Sequence, residues 1–149
     1  MSVHQSELSW SRAAHNSEPD TYSRNHRIAL SGGQQLDVSA SVDFKGDSQC
    51  ADPEQLLVSA LSSCHMLFFL AIADHQGYCV ESYDDEPKGF LEKHEKGGMA
   101  VTRIELSPKV VFSSDKQPDD ATVNRIHHMA HKNCFIRNSI IAEVVINPR

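Results

Sequence analysis

One segment restricts this chain more than any other: residues 52–76, which read as a long helix with apolar side chains on nearly every face. Asp52-Pro53-Glu54-Gln55 is a helix start. Asp52 can cap, Pro53 suits the first helical position, Glu54 complements the positive end of the dipole, and Gln55 can close a capping box. Leu56, Leu57, Val58, Ala60, Leu61, Met66, Leu67, Phe68, Phe69 and Leu70 then point in almost all directions before Gly77 stops the helix. A helix apolar all round must be enclosed. Ser59, Ser62, Ser63 and His65 leave an unbroken apolar run only from Met66 to Ala73, whereas a membrane span needs ~20 apolar residues. The expectation is a buried helix of a soluble protein, with a small sheet covering one face and a second subunit the other.

Strands surround it. Tyr22 to Leu30 and the alternating Leu36, Val38, Ala40 and Val42 flank a turn at Ser31-Gly32-Gly33, which predicts a hairpin with one buried face. An earlier strand around Leu8 to Ala13 pairs with it, and Lys45 to Ala51 is a polar loop. Residues 78–112 are extended, with a turn at Gly97-Gly98 and a break at Pro108. Pro118-Asp119-Asp120 opens a second helix reaching His131 or Lys132, and Ile140 to Asn147 is a last strand. Runs of strands separated by helices, without alternating βαβ units, define an α+β chain. The 149 residues amount to a single domain, 1–149.

Charge and cysteine content exclude several functions. With 14 basic against 20 acidic residues and a net charge of −6, the chain lacks the balance of a nucleic-acid or anionic-membrane binder. Four cysteines are too sparse for a disulfide scaffold and count as individual thiols. Met1 to Ser6 has neither a basic start nor an apolar stretch, so no export leader is expected and a reducing cytoplasm is the expected compartment.

Cys64 lies inside the apolar helix, where a cysteine ordinarily packs as a small hydrophobe. Cys134 follows the second helix in His131-Lys132-Asn133-Cys134-Phe135, and spacing alone does not bring the two thiols together. Cys50 and Cys79 read as bystanders. His127 and His131, four apart on one helix face and near Cys134, have a usable metal spacing. No metalloprotease glutamate and no paired CxxC accompany them, so a solvated helix surface is the ordinary reading. Arg24 would ordinarily be a surface residue, and Glu54 a dipole complement.

Three segments together resemble the OsmC/Ohr family of osmotically inducible and organic-hydroperoxide-resistance proteins. They are Asp52-Pro53-Glu54-Gln55-Leu56-Leu57 running into Ala60-Leu61-Ser62-Ser63-Cys64, then Ala130-His131-Lys132-Asn133-Cys134, and the early Tyr22-Ser23-Arg24. The resemblance extends over the order of strands and helices. It implies an OsmC-like fold, antiparallel strands around a long central helix, in an intertwined homodimer with active sites at the interface. It further implies thiol-dependent reduction of organic hydroperoxides, a stress-response activity. Cys64 matches the peroxidatic thiol, Cys134 the resolving thiol, Glu54 the carboxylate of the Pro-Glu motif and Arg24 the site arginine, with Arg12 and Arg27 as alternatives. No cofactor or metal is implied; an external dithiol, lipoyl-type in relatives, would reduce the disulfide. Phe135 stands where Ohr-type relatives usually have proline, and His65 where a bulky apolar residue is common, which marks a less-characterised branch. His65 either tunes Cys64 or satisfies a buried hydrogen bond.

Glu54 and Cys64 are ten residues apart on one helix, about 15 Å along its axis. They cannot share a site within one subunit, so Glu54 is expected from the partner. The alternatives are a redox-sensing or binding protein on the same fold, and a metal module built on His127, His131 and Cys134.

Overall fold

Alternating side chains around a Gly-Gly turn build the first layer of the chain. The computed structural model describes residues 1–149, and these divide into two compact units, Met1–Leu56 and Leu57–Arg149. In the first unit, β1 (Ser6–Ser9), β2 (His26–Leu30) and β3 (Gln35–Val38) form an antiparallel sheet in the order β1-β2-β3. The expected hairpin is β2–β3, with Ile28 opposite Leu36 and Gly33 at φ 82°. The left-handed conformation is the reason glycine occupies that turn.

The alternation predicts strand through Val42, but β3 ends at Val38. Ser39 is buried, donates its hydroxyl to Asn25 Oδ1 at 2.9 Å and accepts the Asp47 amide at 3.1 Å. This side-chain knot offers the backbone an alternative to the ladder. A 3-10 turn, Val42–Phe44, follows, and Val42 is exposed. Gly46 then passes so close to Ala40 that an added Cβ would lie 1.5 Å from its carbonyl oxygen.

The helix α1 (Pro53–His75) begins with the expected capping box: the Gln55 amide donates to Asp52 Oδ1 at 2.7 Å, and the Asp52 amide to Gln55 Oε1 at 3.2 Å. It ends in a Schellman motif. Tyr78 donates to the Ala73 carbonyl at 2.9 Å and Gly77, at φ 76°, to Asp74 at 2.8 Å.

In the second unit the extended region resolves into β4 (Val80–Asp84), β5 (Lys88–Lys93), β6 (Met99–Leu106) and β7 (Lys109–Phe112). Pro108 sits between β6 and β7, where the chain leaves one sheet for the other: β4 pairs with β7, and β6 lies between β5 and β8 (Glu143–Ile146). Proline cannot donate to a ladder, so the switch falls there. Helix α2 (Asp120–Asn133) is capped by Asp119, whose carboxylate accepts the Thr122 amide at 2.8 Å. One pairing differs from the antiparallel expectation. β8 joins β6 in parallel, with Arg103 opposite Glu143, because α2 carries the chain back to the same end of the sheet.

By length and composition α1 would pass as a membrane span. In the fold it is a core helix, with Val58, Leu61, His65, Phe69 and Ala73 as a buried stripe at three- and four-residue spacing. Val58 and Leu61 pack with Ile104, Leu106 and Cys134; Phe69 and Ala73 pack with Phe112, Ile126 and Ala130. The expectation of burial on every face is therefore met on one stripe only. Leu67 is 59% exposed on the opposite side.

Candidate thiol site

Two helices deliver the two sulfurs. Cys64 comes from the middle of α1, one turn after Leu61 and one before Phe68. Cys134 occupies the C-cap of α2, where the backbone turns extended (φ −63°, ψ 116°) while its amide still reaches the Ala130 carbonyl. Cys64 packs against the buried cluster that contains Cys134, so the two thiols are neighbours. Cys64 is half-buried and Cys134 fully buried. Burial, and then the neighbouring Cys64, push the Cys134 thiol up to about 11. The Arg137 amide donates to Cys134 Sγ at 3.4 Å and fixes its position. An accessible sulfur backed by a covered, protonated one suits nucleophilic attack by the first and later condensation by the second.

An aromatic pair that spacing did not single out borders the thiols. Phe68 and Phe135 meet edge to face at 5.0 Å, and Phe135 is 72% exposed. Each lies within one turn of a thiol, so the approach to Cys64 is bordered by apolar rings. The only earlier sign was Phe135 standing in place of proline.

The other expected residues belong to the first unit. Arg24 donates to Thr21 Oγ1 at 3.1 Å and to the Tyr22 carbonyl, and its guanidinium stacks 4.4 Å from the Tyr22 ring centroid. Arg12 lies 5.7 Å from the same centroid. Arg27 is engaged by Asp37 at 3.0 Å. Glu54 stands in the first turn of α1, and neither it nor Arg24 enters an ion pair within the chain. Cys50 is half-buried, its thiol pushed up by burial and by Asp47 and Asp37, and Cys79 is exposed at the foot of β4.

The histidines are arranged differently from the metal reading. Cys134 packs in the cluster that Cys64 joins, and no three histidine, cysteine or carboxylate side chains, Cys134 with His127 and His131 included, converge as metal ligands. His127 instead turns to His65: His65 Nε2 and His127 Nδ1 are 3.0 Å apart, with ring planes within 4° of parallel. His65 thus satisfies a buried hydrogen bond, the second of its two expected roles. Beside it, Asp85 accepts the Ser62 hydroxyl at 2.5 Å and the Ser107 amide at 2.7 Å.

Burial is the leading reason that His65 and His127 are both held down at about 4 from an ordinary 6.5; for His65 the nearby His127 and His131 add to this and Asp85 opposes it. Between those values the unfolded chain binds protons that the native state does not. Stability is therefore unaffected above pH 6.5, falls as pH drops through the window, and levels off below about 4. The slope is at most roughly 1.4 kcal/mol per pH unit for each ring. Urea melts across this range are expected to show the loss, and a His127→Gln variant to show a shallower one.

A thiol pair carried by a long core helix and the end of a second helix defines an α+β dithiol protein. Comparison with known proteins gives the family. The OsmC-like protein model matches residues 44–149, and the chain belongs to that family. A solved OsmC-like protein of unknown function from Vibrio cholerae is 42% identical, with all of both chains covered and a TM-score of 0.93. The uncharacterised protein YmaD of Bacillus subtilis is 24% identical over 115 residues, 76% of each chain. The organic hydroperoxide resistance protein OhrB of Bacillus subtilis shares the fold at 16% identity, covering 97% of this chain and 98% of its own, with a TM-score of 0.68.

Proposed function

We propose that this protein is a thiol peroxidase that reduces organic hydroperoxides, with Cys64 as the peroxidatic and Cys134 as the resolving cysteine. The observation that carries the reading is the packing of half-buried Cys64 against the cluster that holds fully buried Cys134, with the Phe68–Phe135 ring pair nearby. Family membership supports it.

The chemistry balances in three steps. The Cys64 thiolate attacks the terminal peroxide oxygen, the O–O bond breaks, and the alkoxide leaves and takes a proton to become an alcohol. Cys64 is now a sulfenic acid. Cys134 attacks its sulfur, a disulfide forms, and water departs with the Cys134 proton. An external dithiol, in this reading of the lipoyl type, then exchanges with the disulfide and is itself oxidised.

In this reading Arg24 supplies a fixed positive charge that favours the Cys64 thiolate and the departing alkoxide. Glu54 orients that guanidinium through a charge-assisted pair. The ten-residue spacing of Glu54 and Cys64 on α1 makes Glu54 a contribution of the second subunit. The exposed Leu67 side of the helix supports a homodimer.

Rapid mixing of the reduced protein with cumene, lipid and hydrogen peroxides tests the proposal, with peptide mapping of the product. The expected result is fast oxidation by the organic peroxides and a single new disulfide, Cys64–Cys134. Slow oxidation by every peroxide would make the pair a redox sensor, and a disulfide through Cys50 or Cys79 would refute the assignment.

A further inference from the structure

The thiol reading leaves the histidines of α2 unused. Asn124, His127 and His131 follow one another at i, i+3 and i+7, so they share one face. Together with His128, Val144, Ile146 and Pro148 they line a cavity of about 270 Å³. Two ring nitrogens here, His127 Nε2 and His131 Nδ1, are buried and have no hydrogen-bond partner. Buried polar atoms without partners are rare because each forfeits its hydration, and such an atom beside a cavity calls for an occupant.

The state of these nitrogens narrows the occupant. A neutral imidazole carries one bare nitrogen, and each of these two rings has one nitrogen without a partner. When His127 donates its Nδ1 hydrogen to His65 Nε2, its buried Nε2 keeps a lone pair without a partner, in a residue that lines the cavity. A hydrogen bond from the opposite ring nitrogen is how metal-binding histidines are held in tautomer and orientation. Arg137 and His131 line a neighbouring cavity together, and that positive charge opposes a purely ionic cation. It is offset for an ion that forms directed bonds to imidazole, such as Zn²⁺ or Ni²⁺.

We propose that this face of α2 binds one divalent transition-metal ion through the imidazoles of His127 and His131, with Asn124 and water completing the coordination and His65 holding His127 in place. The site is distinct from the thiol pair and stands whether or not Cys64 reduces peroxides.

Zn²⁺ titrated into the reduced wild-type protein, followed by the histidine ring ¹⁵N resonances, tests it. One equivalent is expected to shift the ring nitrogens of His127 and His131, while the alkylation rate of Cys64 stays unchanged and Mg²⁺ has no effect. His131 is only half-buried, so His131→Ala retains the fold and is expected to weaken binding at least tenfold. His65→Gln, which keeps the ligands but alters the orienting bond, is expected to weaken it by roughly 10–100-fold. Ring nitrogens unmoved by Zn²⁺ and Ni²⁺, affinity unchanged in His131→Ala, or slowed thiol alkylation on metal addition would each overturn the proposal.

Discussion

Cys64→Ser is expected to abolish hydroperoxide turnover, by on the order of 10⁴–10⁶-fold, the range seen when an essential member of a catalytic unit is removed. The serine hydroxyl has almost none of the anion that a thiol supplies at neutral pH, and the O–O bond needs an anionic nucleophile. Cys134→Ser should fail differently. The Arg137 amide that donates to Cys134 Sγ can donate to a serine oxygen in its place, so the local fold is retained. The first oxidation then proceeds and stops at the Cys64 sulfenic acid, which a dimedone label and mass measurement will detect. Peroxide consumption that continues in Cys64→Ser, or a Cys134→Ser protein that turns over with the same dithiol, would remove the mechanism. The separation of the two phenotypes is informative because the thiols differ in burial: Cys64 is half-buried and Cys134 fully buried, so of the two a peroxide meets Cys64.

Phe69→Ala is expected to cost about 3–5 kcal/mol of folding stability, the range for a buried aromatic truncated to alanine. Phe69 is fully buried, 4.3 Å from the His127 ring, 5.6 Å from Tyr83 and 6.2 Å from Phe112 by ring centroids. Deleting it opens a void between α1, α2 and the β4–β7 sheet, none of which can collapse without breaking its own hydrogen bonds. Against a typical total of ~5–15 kcal/mol, that loss leaves the protein marginal. Equilibrium urea unfolding measures it directly. Leu67→Ala, two residues away on the exposed side, is the control: little change in unfolding at low protein concentration, together with weaker association of two chains. A Phe69→Ala loss below about 1 kcal/mol would show that the core repacks around the missing ring.

Local chemistry was the legible part. Asp52 and Gln55 bracket the first turn of α1 whatever surrounds it, and Gly77 ends the helix because a left-handed residue is needed there. Asp119 caps α2 for the same near-neighbour reason. Each feature involves residues within a few positions of one another, so no tertiary information was required. The early end of β3 was not legible, because Ser39 leaves the ladder for Asn25, 14 residues away, and Asp47, eight residues on. Alternation in Leu36, Val38, Ala40 and Val42 gives no hint of that competition.

The site divides in the same way. A helix with apolar residues all round, two cysteines at helix positions and a Pro-Glu start were enough to reach the family. They could not show which sulfur would be covered, because burial depends on Ile104 and Leu106 arriving from β6, some 40 residues beyond Cys64. His65 and His127 lie 62 positions apart, so only packing makes them partners. It was also packing that placed Cys134 in the cluster Cys64 joins, so no three-ligand metal set forms, while His127 and His131 line a cavity and each keeps a buried nitrogen without a partner. The apolar helix remains the decisive feature. Its composition demands enclosure on all sides, because water cannot satisfy hydrocarbon surface. One chain has elements enough to bury a single stripe, and the direction of that stripe is set by the β-sheet and α2 that pack against it.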